Sequence, residues 1–108
     1  MGEKKTYTNN LNSVIIEGKV IQSQYSDERL QFVLSVERYF MYKGEAVKEV
    51  IFIDICALGK LAEVCKNTSP GDKVRVVGRL SNLNYLGYMG QHALEVIAEH
   101  IEGVGGAK

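Results

Sequence analysis

The amino-acid sequence predicts an all-β fold, a five-stranded barrel with one short helix between the third and fourth strands. Three observations carry that prediction. Five separate segments have the β-branched enrichment or the period-two alternation of strands. A single segment, residues 59–67, has helical periodicity. Two of the strand segments hold an interior glycine, Gly18 and Gly78, and such glycines suit the sharp bends of a small barrel.

The elements follow in chain order. Residues 1–11 are polar and read as a flexible arm. The first strand opens near Ser13, where Val14, Ile15, Ile16, Val20 and Ile21 are all β-branched. Residues 22–29 are polar and read as a hairpin loop. From Leu30 to Tyr39 the chain alternates, with Leu30, Phe32, Leu34 and Val36 on one face and Gln31, Val33, Ser35 and Glu37 on the other. Residues 40–46 read as a loop with Tyr42, Lys43 and Gly44 at its tip. The third strand runs from Val47 to Leu58. Its Ile51, Ile53, Ile55 and Ala57 are expected in the core, and its Val50, Phe52, Asp54, Cys56 and Leu58 on a mixed face suited to a working surface.

The helix places Leu61, Ala62, Val64 and Cys65 on one stripe, and Thr68-Ser69-Pro70-Gly71 stops it. A fourth strand spans residues 72–80, a loop with Tyr85 and Tyr88 spans 82–90, and the last strand spans 93–101. Three strands, a helix and two strands is the order of the OB-fold, a small Greek-key barrel. The expected organisation is a flexible arm (1–11), one OB domain (12–102) and a glycine-rich tail or the start of a linker (103–108).

The 108 residues allow one modest core. With 13 basic and 13 acidic side chains, the chain does not hold a polyanion by bulk charge. Nucleic-acid affinity has to come from a local basic groove combined with stacking. No stretch is apolar and long enough to cross a bilayer as a helix, and a cytoplasmic, nucleoid-associated protein is expected. The two cysteines, Cys56 and Cys65, fit no zinc spacing and read as free thiols. Neither a nucleophile elbow, a phosphate loop nor an HExxH pattern occurs, so the sequence does not read as an enzyme and implies no cofactor and no metal.

Four segments carry a family resemblance. Gly59-Lys60-Leu61-Ala62-Glu63-Val64 after the long third strand resembles bacterial single-stranded DNA-binding protein (SSB). So do Leu11-Asn12-Ser13-Val14 in the opening strand, Val77-Gly78-Arg79-Leu80 in the fourth and Leu94-Glu95-Val96-Ile97 in the fifth. The resemblance covers roughly residues 11–102. It implies an OB domain that coats single-stranded DNA during replication, recombination and repair, and that assembles as a homotetramer.

It also implies stacking positions at Phe40, Phe52 and Tyr85, all aromatic here, with Tyr88 a further candidate in the same loop as Tyr85. A base offers a π-face to any flat aromatic ring, so stacking tolerates every sequence. For Phe40 and Phe52 the competing reading is a loop anchor and a core residue; for the tyrosines it is an incidental hairpin tip. Arg38, Lys43, Lys48, Lys60, Lys73 and Arg79 are candidates for phosphate contacts. Asp54 runs against the pattern, because its carboxylate shares the Phe52 face and repels phosphate. The family commonly adds a glycine-rich linker and an acidic tip that docks replication and repair proteins, whereas this sequence ends at Gly105-Gly106-Ala107-Lys108. That ending motivates an alternative, a tailless primosomal-type OB protein that recruits replication partners and binds DNA weakly.

Overall fold

The computed structural model describes residues 9–82 and 94–104. Its elements are β1 (Val14–Ser26), β2 (Arg29–Tyr42), β3 (Glu45–Leu58), α1 (Gly59–Val64), β4 (Lys73–Ser81) and β5 (Glu95–Gly103). The strands close into a barrel in the order β1-β2-β3-β5-β4, with β4 returning to β1. All neighbours are antiparallel except β3 and β5, which close the barrel through a short parallel contact, Ile55 with Val96 and Cys56 with Ile97. This is the predicted OB-fold.

β1 serves two neighbours because it bends. Val14–Lys19 pair with β4, and Lys19–Ser26 pair with β2. The register slips between Val20 and Gln22, which leaves Ile21 as the bulged residue. The backbone bonds Val20 N–H to Asp72 O and Gly71 N–H to Val20 O, both 2.8 Å, tie the bend to the turn that feeds β4. Gly18 sits just before the bulge because a side chain there would collide with the backbone carbonyl oxygen of Ser35.

The core fills the barrel with Val20, Leu30, Phe32, Leu34, Ile55, Ala57, Val74, Val76, Val96 and Ala98, closed at one end by Ala62 of α1. These are the inward positions of alternating strands, as period-two patterning requires. The opposite surface of β1, β4 and β5 is laced by Arg75, which bonds Glu17 at 2.6 Å and Glu102 at 2.9 Å. These pairs are solvent-exposed and contribute little each.

The structure corrects five expectations. The polar stretch 22–29 is strand up to Ser26, with a two-residue turn at Asp27 and Glu28. Outward positions of a half-buried strand are free to be polar, so polarity alone did not mark a loop. Likewise the segment 40–46 is mostly strand: β2 runs to Tyr42, β3 begins at Glu45, and only Lys43 and Gly44 turn. Ile51 lies on the inward-facing parity of β3 but is 40% exposed, because the β2–β3 ribbon there extends past the end of the barrel. The helix ends at Val64, which is 70% exposed, so its apolar stripe is narrower than expected; only Ala62 is buried in it. The strands β4 and β5 are each displaced by one or two residues from their predicted bounds.

Both tight turns have positive φ at their two central residues, Asp27 (57°) with Glu28 (58°) and Lys43 (50°) with Gly44 (81°). That is the type I′ geometry that matches strand twist and favours Asn-Gly. Asp27-Glu28 carries it with two β-carbons. The substitution Glu28→Gly should therefore stabilise the fold by ~0.5–1 kcal/mol, read as a higher urea midpoint at unchanged m-value.

Candidate nucleic-acid interface

The surface of interest is the outer face of β2 and β3, and the register defines it residue by residue. Directly paired residues share a face, and alternate residues along one strand share it too. Leu30, Phe32 and Leu34 pair with Ala57, Ile55 and Ile53, which fixes the inward face. The outer face then carries Arg29, Gln31, Val33, Ser35, Glu37, Tyr39 and Met41, opposite Leu58, Cys56, Asp54, Phe52, Val50, Lys48 and Ala46 respectively. β1 extends this surface sideways, since Gln22 pairs with Val33 and Gln24 with Gln31.

Phe52 stands on this face opposite Ser35 and is 65% exposed, so the core reading of this phenylalanine fails. Leaving a phenyl ring in water forgoes roughly 1.5–3 kcal/mol of burial, which a protein recovers only if something covers the ring. Tyr39, also 65% exposed, lies on the same face opposite Lys48. Four residues of strand separate the two ring positions along the ribbon, about 13 Å.

Phe40 lies on the other face of the ribbon. It pairs with Val47 and follows Val36 and Arg38, the outward continuation of the core-facing side, and is 43% exposed. Phe40 and Phe52 are thus not brought onto one surface of the sheet. Tyr39 is not among the stacking positions that the resemblance implies, yet the β2–β3 register places it on the Phe52 face. The missing datum was the tight turn, which fixes the register between the strands. Tyr85 and Tyr88 lie outside the described residues.

The basic candidates divide as well. Lys48 is on the Phe52 face, in a loose pair with Glu37 at 3.8 Å. Lys43 is at the ribbon tip, its Nζ 5.4 Å from the centre of the Tyr42 ring, a cation–π contact. Arg38 lies opposite Glu49 on the Phe40 face. Lys60 is exposed at the start of α1, beside the far end of β3. Lys73 and Arg79 belong to β4, which borders β1 and β5 and not the β2–β3 sheet; Arg79 is paired with Glu99 at 3.3 Å.

Arg29 is a basic residue that the sequence reading missed, because it was counted into a polar loop. It opens β2 on the outer face, and its Nε is buried without a hydrogen-bond partner among the described residues. Next to it, Cys56 is fully buried, although it lies on the face expected to be a working surface. Burial pushes the Cys56 thiol up, against the pull of a hydrogen bond from Arg29, so the sulfur stays protonated at neutral pH. Cys56 and Cys65 are both free. Among the described residues no group of three or more His, Cys, Asp and Glu side chains could hold a metal ion, and no helix is long and apolar enough to cross a membrane.

The model of the single-strand binding protein family matches residues 11–104. The chain belongs to the single-strand binding protein family. Solved structures show that the same fold recurs far from this sequence. A small single-stranded DNA-binding protein from Streptomyces coelicolor superposes with a TM-score of 0.71 at 18% identity, over 89% of this chain and 95% of that one. The SSB of Plasmodium falciparum, solved as a complex with single-stranded DNA, gives 0.74 at 15% identity over 93% of this chain and 100% of its own. PriB from Ralstonia solanacearum gives 0.67 at 19% identity, over 89% and 100%. No curated protein sequence matches. Within the single-strand binding protein family, this member presents its outer β2–β3 surface with Phe and Tyr alone, since it has no tryptophan.

Proposed function

We propose that this protein binds single-stranded DNA without a fixed sequence, by stacking bases on exposed aromatics and steering the phosphates along flanking cations. One observation carries the reading: in a barrel of the single-strand binding protein family, Phe52 stands exposed at the centre of the open face of β2 and β3. A flat ring in that position stacks any base, at ~1–3 kcal/mol each. Tyr39 shares the face; Phe40, on the other side of the ribbon, would be reached only by a strand that wrapped around it. Tyr85 and Tyr88 complete the proposed aromatic set. Among the cations, Arg29, Lys48 and Lys60 flank the Phe52 face along its length and Lys43 caps its tip, whereas Lys73 and Arg79 serve only a strand led around the barrel. The activity is binding and not catalysis, in the service of replication, recombination and repair.

The test is a titration with fluorescent oligo-dT at two salt concentrations. Binding should weaken with salt, with a log–log slope shallower than −4, since few phosphates are neutralised by a chain of zero net charge. Absence of binding at low salt would sink the reading.

A homotetramer is part of the proposal. Among the described residues, the first half of β1 pairs with β4 on one edge only, because its pairing with β2 begins at Lys19. An unpaired, β-branched edge is a ready template for a second copy, and light scattering measures the mass. The weak-binding, primosomal-type reading draws on Asp54 and on the Glu37–Lys48 pair, which reduce the positive field of the face. A partner pull-down combined with micromolar or weaker oligo-dT binding would favour it.

A further inference from the structure

The anomaly of the outer face is Asp54. It is half-buried, two residues from Phe52 on the same strand and face, about 7 Å along β3. It forms no ion pair or hydrogen bond among the described residues. Lys48 lies six residues along the strand and is already paired with Glu37; Arg29 is opposite Leu58, two outer-face rows from Asp54. A carboxylate in such a place repels a phosphate, so the backbone of a bound strand does not run over it.

What surrounds Asp54 suits a base edge instead. Gln22, Val33 and Asp54 form one row across β1, β2 and β3, and Gln24, Gln31 and Cys56 form the next. Gln22, Gln24, Gln31, Val33 and Asp54 line a shallow groove one outer-face row from Phe52. The glutamine amides both donate and accept, but the carboxylate only accepts. A base stacked on Phe52 presents its edge to that groove. Cytosine, adenine and guanine each carry an exocyclic amine that donates to a carboxylate, and Asp and Glu accept from the cytosine amine in duplex recognition. Thymine has no such amine; its one donor on that edge, N3–H, is flanked by the O2 and O4 carbonyls, so a carboxylate that reaches it meets an acceptor on either side.

We propose that Asp54 makes the Phe52 subsite prefer bases bearing an exocyclic amine over thymine. The proposal rests on the single-stranded DNA reading above and adds to it a compositional preference. The experiment is a fluorescence-anisotropy titration with oligo-dC and oligo-dT of equal length, at one salt concentration, on the wild type, Asp54→Asn and Asp54→Val. Asparagine removes the charge and keeps an acceptor; valine removes both and suits a strand. Wild type should bind oligo-dC about three- to tenfold more tightly than oligo-dT, the net effect of one ordinary hydrogen bond in partly hydrated surroundings. In Asp54→Val both affinities should rise, oligo-dT more, and the ratio should fall towards one; Asp54→Asn should lie between.

A ratio that stays the same in both variants overturns the proposal, because Asp54 is then only a repelling charge. A wild type that favours oligo-dT overturns it too. Both of those results leave the single-stranded DNA reading standing, whereas a wild type that binds neither homopolymer removes that reading and the proposal together. Urea unfolding of each variant confirms that the barrel is intact.

Discussion

Phe52→Ala should lower the affinity for oligo-dT by roughly 5- to 150-fold, the loss of one stacking platform worth ~1–3 kcal/mol. Stability should hardly move. The ring is 65% exposed and does not belong to the barrel core, so its removal opens no cavity. A chemical melt coincident with wild type, together with the loss of affinity, separates a binding role from a packing role. The two neighbouring aromatics sharpen the result. Tyr39 shares the Phe52 face and Phe40 does not, by the unbroken β2–β3 register. If the strand follows the outer face, Tyr39→Ala should weaken binding about as much as Phe52→Ala, and Phe40→Ala by less than threefold. A large loss for Phe40→Ala alone would mean that the DNA wraps the ribbon edge and the outer-face path is wrong.

The second large effect is on folding. Gly78→Ala should destabilise the protein by about 3 kcal/mol or more, seen in urea denaturation and in thermal unfolding. A β-carbon at this position would collide with the carbonyl oxygen of Ile97 and press on Ala98 Cα and Ile97 C, each at 3.0 Å. All three are backbone atoms of β5, at the place where the β4–β5 register slips between Val77 and Gly78. Relief would require β5 to move away from β4, which breaks the ladder that closes the barrel. Gly44→Ala is the matched control. Nothing lies near its β-carbon, and only its φ of +81° opposes a side chain, so its cost should be about 1 kcal/mol. Equal costs for the two would refute steric closure as the role of Gly78.

The strand order could be read from the sequence because its signals are local. Alternation from Leu30, the β-branched run at Val14–Ile16, and the single helical stripe before Pro70 each depend on a few adjacent residues. Asp54's place on the Phe52 face was legible for the same reason, since both are on one strand and differ by two. The hairpin at residues 22–29 was legible but the extent of its strands was not, because outward strand positions and loops are both polar.

By itself, then, the sequence determined that this is a five-stranded OB barrel with Phe52 and Asp54 side by side on the outer face of its third strand. Only the tertiary structure decided which residues of other strands join them. Register is a property of a pair of strands, and the two-residue turn at Lys43-Gly44 sets it for β2 and β3. A shift of one residue would have moved Phe40 onto the Phe52 face and Tyr39 off it. Barrel closure decided the rest: it set β4, with Lys73 and Arg79, across the barrel from the aromatics, and buried Cys56 where β3 meets β5. Such contacts join residues tens of positions apart, and no periodicity along the chain records them.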